Sequence, residues 1–294
     1  MIKYRKYLQV ANINILVKSD NLVLFNKDVE LFEHEFKNSS CNVVFNLVNE
    51  NIKLNFISKE MDIIFEGKDI NIYEDANSFI RVAYLDGRKK DIKWILQWSK
   101  EDNLVTEYTL YYADNWKHRL LDFNPLFLPG LPEFLINYQS FILHSSVIDY
   151  KGNGIVFTAP SGTGKSTQAH LWEKYKKALV INGDRSLIRK FNDQYRVFGS
   201  PYAGSSYIYM NHSVKLKFII VLRQGLENNV KRLYGKEAFL CLISETLLSK
   251  YDKFVIDLQS KLLLDLLNNI PVYLFSCKPD FDAVKTIEKL LEGE

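Results

Sequence analysis

The chain has 294 residues, 47% hydrophobic and 25% charged, with 38 basic against 35 acidic side chains. That length suits one large or two ordinary domains at roughly 150 residues each, and the apolar share is that of a chain able to bury a core. A net charge of +3 gives no general pull toward nucleic acid or anionic membrane, and the widely spaced Cys41, Cys241 and Cys277 fit neither a disulfide framework nor a zinc site.

The N-terminus lacks the apolar centre of a signal peptide, and no run approaches the ~18 apolar residues of a membrane span. Together with the cysteine pattern this predicts a cytoplasmic protein with no nucleic-acid and no membrane partner. Residues 1 to about 112 read as strands. Ile13, Ile15 and Val17 alternate with polar neighbours as a half-buried strand does, and short β-rich runs follow at 43–47, 54–57, 63–66, 80–84 and 92–98. Asp86–Gly87 is a hairpin signal, because glycine tolerates the positive φ such turns need. The many aromatic side chains here read as core, not as platforms for bases. The basic clusters at 88–90 and 231–236 read as solvated faces.

Pro125, Pro129–Gly130 and Pro132 mark a connector across 113–137. Strands then follow at 141–150 and 154–159, a helix at 165–177 and a strand at 178–181. The run 216–222 is continuously apolar, as in a strand covered on both faces. Two helices come next, one with Ala238, Phe239, Leu242 and Ile243 on a face, the other with Leu262, Leu263, Leu266 and Leu267. A strand at 272–276 and a helix at 281–291 close the chain. Strands alternating with helices predict an α/β layer with a largely parallel sheet. The expected organisation is a β-rich N-terminal domain over 1–135 and a nucleotide-binding catalytic domain over 136–294.

Ala159, Pro160, Ser161, Gly162, Thr163, Gly164, Lys165, Ser166 and Thr167 lie between an apolar strand and a helix, the context a phosphate-binding loop requires. Gly162 and Gly164 let successive N–H groups converge, and the helix N-terminus adds partial positive charge. Lys165 would reach the β- and γ-phosphates, and the Ser166 hydroxyl would ligate Mg²⁺. Ala159 stands where the usual pattern has its first glycine. The next apolar strand runs into Asn182, Gly183, Asp184 and Arg185. Asp184 would hold Mg²⁺ or take a proton from an attacking hydroxyl; a turn cap is the competing reading. His144 reads as an orienting or proton-relaying group or as a buried structural histidine. Arg185 reads as a charge-neutralising group or a surface ion pair. Residues 199–206 form a Gly/Pro/Ser loop that projects toward the ligand or simply turns a hairpin, with Ser205 or Ser206 as contacts. Arg223 is a candidate for an adenine-side or phosphate contact at a strand end.

His144, the strand–turn–strand, the loop at 159–167 and Asp184–Arg185 together resemble the catalytic domain of HPr kinase/phosphorylase, akin to ATP-dependent phosphoenolpyruvate carboxykinase. His144 precedes Ala159 by fifteen residues (159 − 144 = 15), the family's own offset. Segments LHSSV, FTAPSGTGKSTQAHLW, NGDR, GSPYAGSS and SVKLKFIIVLRQG look closer still to HPr-kinase-like proteins of peptide modification, such as lasso-peptide precursor kinases. The resemblance covers residues 135–290. It implies ATP (or GTP) and Mg²⁺ as cofactors, Ser166 and Asp184 as metal ligands, and Asp184, His144, Lys165 and Arg185 as the catalytic set. It also implies a serine or threonine of a peptide or protein as acceptor, for whose recognition the β-rich domain over 1–135 is the candidate, and leaves room for a homo-oligomer. Gly183 stands where the family has the first of two aspartates, and the family's second signature does not appear. A small-metabolite kinase, a nucleotide-dependent binding switch and a carboxykinase-like lyase are the other readings of the same loop.

Overall fold

Lys151 and Gly152 have φ of 53° and 79°, the left-handed pair of a two-residue hairpin turn, whose twist matches that of the strands it joins. They connect β9 (Ser140–Tyr150) to β10 (Asn153–Thr158), and this hairpin is the frame of the second half of the chain. In the computed structural model, residues 3–22, 27–37, 40–50, 57, 61–85, 91–100, 106–112, 131–202, 204–249 and 252–293 are described. The chain is a mixed α/β protein with two large sheets, in two units, Met1–Leu131 and Pro132–Glu294.

The first unit carries β1 (Tyr4–Val10), β2 (Ile13–Ser19), a short α1 (Lys27–Glu30), β3 (Val43–Asn49), β4 (Asp62–Glu66), β5 (Ile70–Glu74), β6 (Ser78–Tyr84), β7 (Ile92–Ser99) and β8 (Thr106–Tyr112). They form one sheet in the order β1-β2-β3-β8-β7-β6-β5-β4. β3 runs parallel to both its neighbours. β1, β5 and β8 are strands the sequence pattern did not mark. Of the expected run at 54–57 only Ile57 lies among the described residues; the hairpin signal at Asp86–Gly87 and most of the connector (113–130) lie outside them.

The second unit begins with α2 (Leu131–Ile136). After the β9–β10 hairpin come α3 (Lys165–Lys176), β11 (Leu179–Asn182), β12 (Arg185–Phe191), β13 (Gln194–Phe198), β14 (Ser213–Gln224), β15 (Asn229–Leu233), α4 (Gly235–Ile243), α5 (Lys253–Asn269), β16 (Val272–Cys277) and α6 (Phe281–Gly293). The sheet order is β10-β9-β12-β13-β14-β16-β15, with β10 also paired to β14 and β11 to β9. Pairing therefore closes on itself through β9, β12, β13, β14 and β10, which leaves those strands no free edge. The expectation of a largely parallel sheet is corrected here: only β10–β14 and β14–β16 are parallel among its named pairs. The tight β9–β10 and β12–β13 turns force antiparallel neighbours, because short connections cannot make a parallel crossover.

β14 is buried on both sides, as its uninterrupted apolar run implies. Leu216, Ile219 and Val221 join a cluster with Ala238 and Leu242 of α4 and Leu262, Leu263 and Leu266 of α5. Phe218, Ile220 and Leu222 join another with Ala169 and Trp172 of α3 and Ala283, Val284 and Ile287 of α6. Helices thus cover both faces of the sheet.

Candidate phosphoryl-transfer site

The β9–β10 register explains the histidine spacing. Ser145 pairs with Thr158, so the next position outward sets His144 opposite Ala159 (145 + 158 = 144 + 159). The loop at 159–164 begins where β10 leaves β9, and Thr158 Oγ1 donates to His144 O at 2.9 Å. On its other side β9 pairs with β11 and then β12, and Arg185 lies opposite His144. Between those two strands the chain bends at Gly183–Asp184, and Ser145 N donates to Asp184 O at 2.8 Å. The loop, the histidine and the acidic turn thus meet at the middle of β9, where β10 leaves it, through strand register.

Gly162 (φ 79°) and Gly164 (φ 120°) adopt left-handed backbone, and a Cβ on either would meet nothing within 4 Å. They form an open cradle at the start of α3, whose N-terminus has no side-chain cap, so its first N–H groups are available to an anion. The loop closes on itself meanwhile. Thr163 donates twice to Pro160 O, from N at 3.3 Å and from Oγ1 at 2.8 Å. Lys165 Nζ folds back onto Ala159 O at 2.7 Å and Pro160 O at 3.3 Å. Burial pulls the Lys165 pKa below the ordinary lysine value, and the carboxylates of Glu245 and Asp184 push it back up. Ser166 Oγ donates to Gly183 O at 3.3 Å, which sets the hydroxyl beside the acidic turn. Pro160, Ser161 and Thr167 are exposed.

The expectation that Asp184 ends a strand is corrected: β11 stops at Asn182, and Asp184 sits in the bend before β12. Its Oδ1 lies 3.5 Å from His144 Nε2, and its Oδ2 3.6 Å from Arg185 Nε. The Arg185 guanidinium stacks on Tyr202 at 4.8 Å. His144, Asp184, Arg185, Tyr202, Glu245 and Thr246 line a cavity of about 310 Å³. Serine hydroxyl and carboxylate are hard oxygen donors of the kind Mg²⁺ takes when phosphates complete its shell, so Ser166 and Asp184 suit the ion the sequence implied.

Three groups escaped the sequence reading. Asn182 is fully buried. Its carbonyl oxygen accepts from Asp184 N at 2.9 Å and Arg185 N at 2.8 Å, while its amide donates to Ser200 O at 3.1 Å and Tyr202 O at 2.9 Å. The NGDR stretch held the signal, since asparagine caps its own turn two and three residues on. Glu245 Oε2 lies 3.0 Å from His144 Nδ1, and nothing local in the sequence marks it. Gln224, next to the exposed Arg223, is the strand-end residue that touches the loop, donating to Gly162 O at 3.5 Å.

The loop at 199–206 does reach the site. Gly204 (φ 52°) packs so closely under Asp184 that a Cβ would lie 2.6 Å from its Cγ. Ser206 turns inward over Gly183, and its Oγ accepts from Ile208 N at 3.3 Å, so it serves the turn. The Ser205 side chain lies outside the described residues.

No protein-family model matches the chain, and no curated protein matches it in sequence. Among solved structures it is similar to the Hpr(Ser) kinase/phosphatase from Coxiella burnetii, at 10% identity and a TM-score of 0.30, over 51% of this chain and 98% of that one. No helix among the described residues is long and apolar enough to cross a membrane.

Proposed function

We propose that this chain is a Mg²⁺- and ATP-dependent kinase that transfers the γ-phosphoryl group to a serine or threonine hydroxyl of a peptide or protein. One observation carries the reading. An open, glycine-built cradle with a buried lysine lies beside the pair Asp184–His144 where β10 leaves β9, and that pair lines a 310 Å³ cavity. Mg²⁺, when bound, supplies a positive charge that offsets the phosphates, and Ser166 and Asp184 would hold it. Lys165 gives up the loop carbonyls and turns its ammonium to the phosphate oxygens. Arg185, kept in place by Tyr202, offsets charge as it builds on the transferred group. The acceptor proton leaves toward the Asp184–His144 pair. Such transfer asks for position and charge more than for covalent help. A small hydroxylated metabolite is a second acceptor class, favoured by the cavity's volume, which is near the ~300 Å³ lower end for small-molecule sites.

Incubation with γ-labelled ATP, Mg²⁺ and a degenerate serine/threonine peptide library, beside a panel of polyols and amino acids, separates these readings. Label should appear in peptide, and Lys165→Ala should reduce it by a factor of at least about 10². Label in a metabolite alone moves the acceptor to the second class. Hydrolysis with no labelled acceptor of either kind ends both readings, and an active Lys165→Ala ends the site assignment.

A further inference from the structure

We propose that Glu245 is a positioning residue of the transfer site, the second carboxylate that the turn at 183–185 does not itself provide. The inference rests on the kinase reading and assigns a role to a residue outside the loop and the turn. Position 183 has no room for an acid, because a Cβ there would lie 2.1 Å from Ser206 Oγ. Glu245 brings a second carboxylate to the site from the far side of β9.

Glu245 is fastened to His144 twice. His144 N donates to Glu245 O at 2.9 Å, Leu247 N donates to Ile142 O at 3.0 Å, and a bridge joins Leu143 to Thr246. The segment after α4 is therefore laid along β9 through one antiparallel bridge, just where β10 departs. With the backbone held, the side chain reaches back to the same residue, and its Oε2 lies 3.0 Å from Nδ1. The Glu245 side chain is only 11% exposed, so a hydrogen-bond partner inside the protein takes the place of water. A carboxylate can only accept, so Nδ1 supplies the N–H. That contact sets the ring about its own axis and leaves Nε2 facing Asp184 Oδ1 at 3.5 Å, on the cavity wall.

In the transfer, the acceptor oxygen bonds to the γ-phosphorus. The bond from that phosphorus to the β–γ bridging oxygen breaks, and its electron pair leaves on ADP. The hydroxyl proton passes to the Asp184–His144 pair and then to solvent. Glu245 exchanges no atom; it keeps Nε2 turned toward the reacting oxygen. An imidazole free to rotate spends part of its time with the wrong nitrogen there, and the loss falls on the transfer step rather than on nucleotide binding.

The test uses the full chain, γ-labelled MgATP and the best-labelled peptide of the serine/threonine library, with Glu245→Ala and Glu245→Gln. Glu245→Ala should lower kcat by about 10- to 100-fold with KM for MgATP within about twofold. Glu245→Gln, which keeps an acceptor oxygen at the same reach, should recover part of that loss. Imidazole ¹⁵N spectra should show His144 protonated at Nδ1 in the wild type and without that preference in Glu245→Ala. The assignment is overturned if Glu245→Ala keeps kcat within twofold, if the ring spectrum does not change, or if kcat and melting temperature fall together while KM for MgATP rises. A wild-type chain that labels no acceptor removes the kinase reading and this role with it. An active wild type with an indifferent Glu245→Ala removes this role alone.

Discussion

A Cβ at position 183 would lie 2.1 Å from Ser206 Oγ and 2.6 Å from Ser206 Cβ, so glycine at this position is dictated by packing. Substituting alanine there pushes the loop at 204–208 away from the turn, and overpacking of this kind costs about 1–3 kcal/mol. Gly183→Ala should therefore lower the midpoint of urea unfolding, and Ser206→Gly should restore most of it in the double variant. Additive losses would mean that the two residues do not meet. By the same argument Gly183→Asp does not recreate a paired-aspartate site; it dislodges the loop that packs under Asp184.

At the scale of elements, one buried carboxamide couples two loops. Asn182 satisfies two N–H groups of the turn and two carbonyls of the loop at 199–206. In Asn182→Leu those four groups lose their partner, at about 1–3 kcal/mol for each that water cannot reach. Proteolysis or hydrogen exchange confined to 199–206 should accelerate before global unfolding does. Unchanged protection of that loop would refute the coupling. A second joint ties α3 to α6. Glu288 pairs with Lys176 and accepts from Tyr150 Oη at 2.8 Å, and the lysine bond above all holds its pKa below the ordinary 4.5. A carboxylate with a depressed folded pKa stabilises above its unfolded value and loses that contribution as pH falls through the folded one. Unfolding free energy should thus drop by on the order of 1 kcal/mol as pH falls below about 4.5, and Glu288→Gln should flatten that part of the profile. An identical acid limb in the variant would show that the pair contributes nothing. Elements with strong local grammar were readable in advance. β14 announced itself by an unbroken apolar run, and α3 by the glycine-rich loop before it. β12 and β15 were not, because RSLIRKF and NVKRL are interrupted by charge and become strands through their neighbours. The site divides in the same way. The His144 spacing was legible only through the resemblance, and the β9–β10 register gives it a physical basis, whereas Glu245 meets His144 across 101 residues of sequence, a contact that only the fold creates.

At the scale of the whole molecule, each unit carries a sheet of its own. The two clusters packed on either face of the second sheet draw only on residues between 136 and 291, while Tyr73, Ile80, Val82, Tyr84 and Ile95 form a cluster within the first. Every residue placed at the candidate site, from His144 to Glu245, also belongs to the second unit. A unit with its own core and closed pairing can fold alone, so a fragment of residues 132–294 should be soluble and unfold in one cooperative step. It should bind MgATP within a few-fold of the full chain's affinity, because the cradle, Lys165, Ser166 and Asp184 all travel with it. Peptide phosphorylation is the informative contrast. If the first unit recognises the acceptor, the fragment should keep MgATP binding yet lose peptide labelling through a raised KM for peptide. Calorimetry for nucleotide and steady-state kinetics for peptide read the two effects separately. A fragment that fails to bind MgATP while folded would show that the nucleotide site needs the first unit. One that labels peptide as well as the full chain would remove acceptor recognition from residues 1–131.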